Sequence, residues 1–134
     1  MVFDYKTLEE LKEVLIGKTI VKWDKDWLLL DDKTKIEIVC SEADCCANAY
    51  GEFESVNLEA IITDVRLENA RTIVDYDGYE THTEIELVIL HNQGSISKAN
   101  CYANNGNGDY YYSACAVKIK NNYFKILESR LDEE

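Results

Sequence analysis

Five cysteines and two histidines are the residues best suited to chemistry in this chain of 134 residues. A structural zinc ion needs four such ligands in a tetrahedron, usually from closely spaced pairs. No Cys-x2-Cys pair is present, and the adjacent Cys45 and Cys46 would point apart in extended backbone. We therefore expect the cysteines to be small apolar core residues, and we predict no metal and no cofactor.

A cysteine–histidine nucleophile would be the enzymatic interpretation, with Cys45 or Cys46 activated by His82 or His91. Acidic neighbours disfavour the thiolate that this chemistry requires. Asp44, which precedes the cysteines, is expected to cap its loop by accepting a hydrogen bond from a nearby backbone amide. The sequence therefore predicts a protein that is not an enzyme.

One short amphipathic helix is predicted near the N-terminus, where it can help to position these residues. Thr7 and Glu10 match a capping box, leucines recur at helical spacing behind them, and Gly17 is placed to end the helix. The apolar side of such a helix needs a partner, which is most simply a β-sheet.

Most of the remaining chain has the alternating pattern of β-strands joined by short polar turns, too short for crossover helices. Residues 41–51 are interpreted as a loop, residues 55–59 as one helical turn, and residues 68–81 as a hairpin tip or mobile loop. Strands are predicted over residues 19–23, 27–30, 35–40, 61–67, 83–91, 95–102 and 110–120, with a closing strand or helix after them.

The predicted fold class is α+β. It comprises a short N-terminal helix and a curved antiparallel β-sheet, or a small barrel-like meander, of about six to eight strands. No repeat, low-complexity block or linker divides the sequence, so we expect one domain over residues 1–134.

Two short motifs resemble those of a family of small uncharacterised proteins encoded by phages and prophages. The first is the Asp-Cys-Cys motif in residues 43–46, and the second is the Asn/Gly-rich turn with paired tyrosines in residues 104–111. The resemblance also covers the strands of residues 20–40 and the hairpin of residues 83–112. Residues 112–115 depart from the small glycines expected after the tyrosine pair. The resemblance implies a phage origin and no known activity.

A net charge of −12, from 26 acidic and 14 basic residues, restricts the partners of this chain. Binding to nucleic acid or to an anionic membrane is disfavoured, because both depend on lysine and arginine. Such acidity can instead imitate a phosphate array and occupy the basic groove of another protein. Part of the charge is local, with seven acids and two basic residues between positions 64 and 86.

The leading hypothesis is a non-enzymatic phage-type binding protein that inhibits a host or defence protein with a basic surface, as a nucleic-acid mimic. A cytoplasmic location is expected, since the chain shows neither a signal-peptide pattern nor a membrane-length apolar run, and its cysteine count is odd. The oligomeric state is left open. The predicted contact residues are Asp75, Tyr76, Asp77, Tyr79, Glu80, Glu84 and Glu86.

An alternative is a small-ligand or nucleotide-sequestering protein, and a third class is a zinc-stabilised structural module. In the alternative, the Asp-Cys-Cys loop and the Asn/Gly-rich turn would together hold the ligand. Its predicted residues are Asp44, Cys45, Cys46, Asn105, Asn107, Tyr110 and Tyr111.

Overall fold

A computed structural model describes residues 4–44, 47–74, 81–106 and 112–129 of the chain. Within these ranges one α-helix is followed by nine strands, and a single turn of 3-10 helix at Asn92–Gly94 separates the sixth strand from the seventh. The elements are α1 (Leu8–Leu15), β1 (Ile20–Asp24), β2 (Trp27–Leu30), β3 (Lys35–Ala43), β4 (Asn48–Ser55), β5 (Ile62–Val74), β6 (Thr81–His91), β7 (Ile96–Asn104), β8 (Ser113–Ile119) and β9 (Asn122–Glu128).

The strands form two antiparallel sheets that share one hydrophobic core. The five-stranded sheet has the order β1-β2-β3-β8-β9, and the four-stranded sheet has the order β4-β7-β6-β5. Buried Leu28 and Ile38 from the first sheet join buried Phe53, Val65 and Ile89 from the second in the same core. The predicted α+β class with antiparallel sheet and short helix is confirmed. The described strands do not close into a barrel.

Helix α1 begins and ends as the sequence predicts. The Thr7 hydroxyl accepts a hydrogen bond from the Glu10 amide at 3.1 Å, and the Glu10 carboxylate accepts one from the Thr7 amide at 2.9 Å. Gly17 follows the helix with a φ of +90°, a conformation in which glycine is unstrained. Leu11 and Leu15 are buried, and α1 packs against β5 and β9.

Three segments differ from the sequence prediction. Residues 41–51, predicted as a loop, include the end of β3 and the start of β4. Residues 55–59 contain no helical turn, and β5 extends to Val74, well into the segment predicted as a hairpin tip. Two of the three inward positions of β4 are alanine and glycine, and residues 68–74 of β5 are exposed on both faces. Neither segment therefore shows a strong hydrophobic alternation.

The only helix of the described ranges with α-helical geometry, α1, has eight residues. No helix in those ranges is long and apolar enough to cross a membrane.

Candidate binding face

The exposed side of the four-stranded sheet, which we call the outer face, carries a continuous set of polar and aromatic side chains. Cross-strand neighbours point to the same side of a sheet. The register therefore aligns four residues across β4, β7, β6 and β5 as one row, which we call the tyrosine row. Its members are Tyr50, Tyr102, Glu84 and Arg71.

The aromatic end of the tyrosine row is a stack of three rings. The centroids of Tyr50 and Tyr102 are 4.8 Å apart, and those of Tyr102 and His82 are 4.7 Å apart. Tyr50 lies at the outside of this stack and is 51% exposed. One tyrosine ring is therefore held in place by its neighbours while its surface stays open to solvent.

The other end of the tyrosine row is an ion-paired group. The Arg71 guanidinium donates to Glu84 Oε1, with Nε at 2.7 Å, and His82 Nε2 lies 3.2 Å from Glu84 Oε2. Burial raises the pKa of Glu84, but the hydrogen bonds from Arg71 and His82 outweigh it and hold this pKa below its usual value. Glu84 is thus ionised and occupied by partners from its own sheet.

A second row, which we call the glutamate row, runs beside the first. It consists of Glu52, Asn100, Glu86 and Glu68 on β4, β7, β6 and β5. Asn69, in a bulge of β5 with a φ of +60°, donates from Nδ2 to Glu86 Oε1 at 2.7 Å. Glu52 is exposed, and its carboxylate has neither a hydrogen bond nor an ion pair with any described residue.

Lys98 is the cation at the β4 side of the outer face. Its ammonium lies 2.9 Å from Glu54 Oε1 and 3.5 Å from Glu86 Oε2. The hydrogen bond between Lys98 and Glu54 raises the pKa of the lysine and lowers that of the glutamate. By register and sequence, the face has six carboxylates and three cations, namely Glu52, Glu54, Asp64, Glu68, Glu84 and Glu86 against Arg66, Arg71 and Lys98.

The two rows border an open groove of about 810 Å³. Its lining includes Tyr50 and Tyr102 from the tyrosine row, Glu86 and Asn100 from the glutamate row, and Asn69 from the β5 bulge. Ligand pockets commonly have volumes of about 300–1,000 Å³. The groove is therefore large enough for one or two side chains of a partner protein or for a small organic molecule.

The predicted partner-contact residues fall partly in this groove. Glu84 and Glu86 lie on β6 with their side chains on the outer face, where both line the groove. The remaining members lie outside the described residues, and they are Asp75, Tyr76, Asp77, Tyr79 and Glu80.

The alternative ligand residues are described only at Asp44 and Asn105. The exposed Asp44 donates its backbone amide to the Tyr112 carbonyl at 2.8 Å, so the two predicted loops adjoin at their described ends. Asn105 is buried, and its Oδ1 accepts from the Thr81 amide at 2.9 Å, which joins the end of β7 to β6. Lying outside the described residues are Cys45, Cys46, Asn107, Tyr110 and Tyr111.

His91 is buried in a complete hydrogen-bond chain that holds the connection between β4 and β5. Its Nδ1 donates to the Ala60 carbonyl at 2.9 Å, an assignment that follows because a carbonyl can only accept. Its Nε2 accepts from Ser97 Oγ at 2.7 Å, and Ser97 Oγ accepts from the Asn57 amide at 2.8 Å. Because Ser97 is completely buried, this serine–histidine pair is out of reach of a substrate.

No metal-binding group is found in the part of the chain that the structure describes. There, no three His, Cys, Asp or Glu side chains lie close enough together to hold a metal ion.

Sequence reasoning missed the β4 members of the face. Tyr50 lies in the segment that the sequence predicts as a loop, and the sequence predicts no element at Glu52, whereas the structure places both on β4. The available signal was the alternation of Tyr50, Glu52 and Glu54 with the small or apolar residues between them.

The fold and the face together define a small two-sheet antiparallel protein with a polar, aromatic sheet surface. A family model described as "Domain of unknown function (DUF7448)" matches residues 13–118, and the chain belongs to this family. The prediction of membership in an uncharacterised family is thereby confirmed. Neither the curated proteins nor the solved structures include a match.

Proposed function

We propose that this protein is a non-enzymatic binding protein that holds a basic segment of another protein on its outer face. The observation that carries the proposal is the position of the exposed, stacked Tyr50 ring, which lines the groove, beside Glu52 on the same face of β4. The Glu52 carboxylate has no hydrogen bond or ion pair with any described residue. An aromatic ring beside a free carboxylate suits an arginine or lysine side chain.

The spacing of the two residues supports simultaneous contact with one cation. Tyr50 and Glu52 are two positions apart on β4, so their side chains share a face and start roughly 7 Å apart. A guanidinium or ammonium group binds an aromatic face at up to about 6 Å from the ring centroid. It can therefore contact the Tyr50 ring and still pair with the Glu52 carboxylate.

The charges around this pair also favour a basic partner. The cations of the face are already bound to carboxylates of the same protein, Arg71 to Glu84 and Lys98 to Glu54. Six carboxylates against three cations, on a chain with a net charge of −12, would attract a basic surface and repel phosphates. This supports a protein partner over a nucleic acid.

We further propose that the chain is phage-encoded and acts in the host cytoplasm as an acidic inhibitor of a host or defence protein. The support is the resemblance of its Asp-Cys-Cys motif and its Asn/Gly-rich turn to phage and prophage proteins. An inhibitor of this kind would occupy a basic groove that normally binds nucleic acid.

The test is retention of a basic protein from bacterial lysate on the immobilised chain at low salt, followed by affinity measurements with the retained protein. Tyr50→Ala combined with Glu52→Gln should weaken binding about 5- to 10-fold, the sum expected of one cation–π contact and one exposed ion pair. The matched control is Glu37→Gln, which changes the same charge on the other sheet, where Glu37 lies beside Lys35.

Two results would contradict the proposal. One is that no protein is retained even at low salt. The other is that Glu37→Gln weakens binding as much as Tyr50→Ala combined with Glu52→Gln does, because binding would then depend on net charge and not on the outer face.

The groove volume favours a second candidate function, the sequestration of a small planar ligand against Tyr50. In this alternative the glutamate row would repel phosphates, so nucleosides should stabilise the protein in thermal-shift assays more than the corresponding nucleotides do. If neither class raises the melting temperature, this candidate is removed.

A further inference from the structure

Three described cysteines lie where the two sheets meet, and two of them, Cys101 and Cys115, belong to the core. Cys40 on β3 is directly opposite Cys115 on β8 in the antiparallel register. Two residues along each strand, the paired residues are Ile38 and Val117, both buried, so the strand alternation turns Cys40 and Cys115 toward the inter-sheet side as well. Cys101 faces them from β7 of the other sheet.

Gly51 brings the sheets into close contact at this point. A Cβ atom at Gly51 would lie 2.7 Å from Ile38 Cγ2 of the first sheet and 3.0 Å from Cys101 Sγ of its own sheet. The hydrogen bond between the thiols of Cys101 and Cys115, together with burial, raises the pKa of Cys115. Gly51 therefore lets Ile38 of the first sheet and Cys101 of the second approach each other closely.

The cysteines differ in their access to solvent. Cys40 is exposed, with its thiol 3.5 Å from the Glu42 carbonyl, whereas Cys115 is completely buried. Directly opposite residues of antiparallel strands have Cα atoms about 4.5–5.5 Å apart, and a disulfide accepts Cα separations of about 4.4–6.8 Å. One exposed and one buried thiol thus occupy positions that a disulfide can join without strand movement.

We propose that Cys40 and Cys115 are a thiol-oxidation site, which a peroxide converts into a cross-strand disulfide. The Cys40 thiolate attacks one peroxide oxygen, which breaks the O–O bond, oxidises the sulfur to a sulfenic acid and releases water after protonation. The Cys115 sulfur then attacks the sulfenic sulfur. The S–S bond forms, the sulfenic oxygen leaves as a second water, and it carries away the Cys115 proton.

The order of the two steps follows from the environments of the thiols. Oxidation begins at a thiol that solvent reaches, and Cys40 is exposed. Cys115 stays protonated and shielded until a sulfenic acid forms beside it. The peroxide is reduced to two waters, the two thiols supply the electrons, and a small-molecule dithiol reverses the reaction by thiol–disulfide exchange.

The experiment uses the full chain with Cys45→Ser and Cys46→Ser, which removes the two other thiols near Cys40 in sequence. After treatment with equimolar hydrogen peroxide, the remaining thiols are alkylated in denaturant and the unreduced chain is digested for mass spectrometry. We expect a peptide pair joined between Cys40 and Cys115, an alkylated Cys101, and an intact mass lower by two hydrogens. Dithiothreitol should restore the original mass.

Variants separate this site from general thiol oxidation. Cys101→Ser, the control for a buried cysteine in the other sheet, should still form the disulfide, whereas Cys115→Ala should accumulate sulfinic acid at Cys40. Three results would overturn the proposal: a Cys101–Cys115 link in place of the predicted one, irreversible oxidation of Cys40 in the parent chain, or equal disulfide formation in the urea-unfolded chain. All three are measured on the parent chain and do not depend on the folding of Cys115→Ala.

Discussion

Replacement of Gly51 by alanine tests the closeness of the two sheets. Gly51 is buried on β4, and an added Cβ would meet Ile38 Cγ2 at 2.7 Å and Cys101 Sγ at 3.0 Å. Both distances are shorter than a normal contact between carbon and carbon or sulfur. Ile38 cannot turn away at low cost, because a β-branched side chain has a restricted χ1 and this one is packed in the core.

The change in the free energy of unfolding caused by Gly51→Ala is the difference between a packing cost and an entropic gain. Overpacking a core by one methyl group costs about 1–3 kcal/mol. Replacing glycine by alanine also stabilises the fold by about 0.4–1 kcal/mol, because alanine lowers the conformational entropy of the unfolded chain. This gain applies here because Gly51 does not have a positive φ. The difference is about 0–2.6 kcal/mol, and the 2.7 Å contact with the packed Ile38 methyl places the overpacking cost in its upper half. We therefore expect the free energy of unfolding to fall by about 1–2.6 kcal/mol, with a melting temperature lower by about 3–10 °C.

Urea denaturation of a double-mutant cycle with Ile38→Ala is the assay. Truncation of Ile38 removes the methyl group that a Cβ at position 51 would meet, so Gly51→Ala should cost about 1 kcal/mol less in that background. Gly94→Ala is the control, because its cost comes from a φ of +80° and no atom lies within 4 Å of its added Cβ. That cost should be the same in both backgrounds.

The explanation fails if Gly51→Ala is neutral or stabilising in the wild-type background. It also fails if the substitution costs the same with and without Ile38→Ala, because the destabilisation would then arise from something other than the contact between the sheets.

Two further substitutions test the helix cap and the five-stranded sheet. Thr7→Ala removes the hydroxyl that accepts from the Glu10 amide, and it should lower the free energy of unfolding, measured in urea, by about 1 kcal/mol. Thr7→Ser keeps a hydroxyl and should retain most of the wild-type stability. Burial and the 2.7 Å hydrogen bond to Glu128 raise the pKa of Tyr112 above its ordinary 10.0. The stability from the protonated phenol is thus fully present below pH 10.0 and is lost as the pH rises through the higher folded-state pKa. As the pH is raised from about 9, the melting temperature should fall more steeply for the wild type than for Tyr112→Phe. This range begins just below the ordinary phenol pKa of about 10. Melting temperatures that change in parallel would contradict the prediction.

Local patterns were sufficient for the helix and for most strands. Thr7, Glu10 and Gly17 mark the ends of α1 through hydrogen bonds within a few residues of each other, so they can be recognised without the fold. The alternation of β6 likewise identified its buried face, which includes Leu87 and Ile89. β4 was missed because its inward positions alternate alanine, glycine and phenylalanine, a weak strand signal.

The candidate binding face could be predicted only in part, because its residues lie on both the strongly patterned β6 and the weakly patterned β4. Glu84 and Glu86 belong to the strongly patterned β6, and the local excess of acids indicated that region. Tyr50 and Glu52 belong to β4, and they share the outer face with Glu84 and Glu86 only because β7 pairs with both β4 and β6. Strand order depends on contacts distant in sequence, which single-strand patterns do not encode.

The sequence by itself determined the acidity of the protein, its antiparallel character and the caps of its helix, because these depend on composition and on neighbours along the chain. The tertiary structure alone decided that Tyr50 stacks on Tyr102 and that Cys40 lies opposite Cys115. These contacts depend on the registers of β4 with β7 and of β3 with β8. Register is set by how two distant strands bury their apolar faces together, and a shift of one residue would turn each of these side chains to the opposite side.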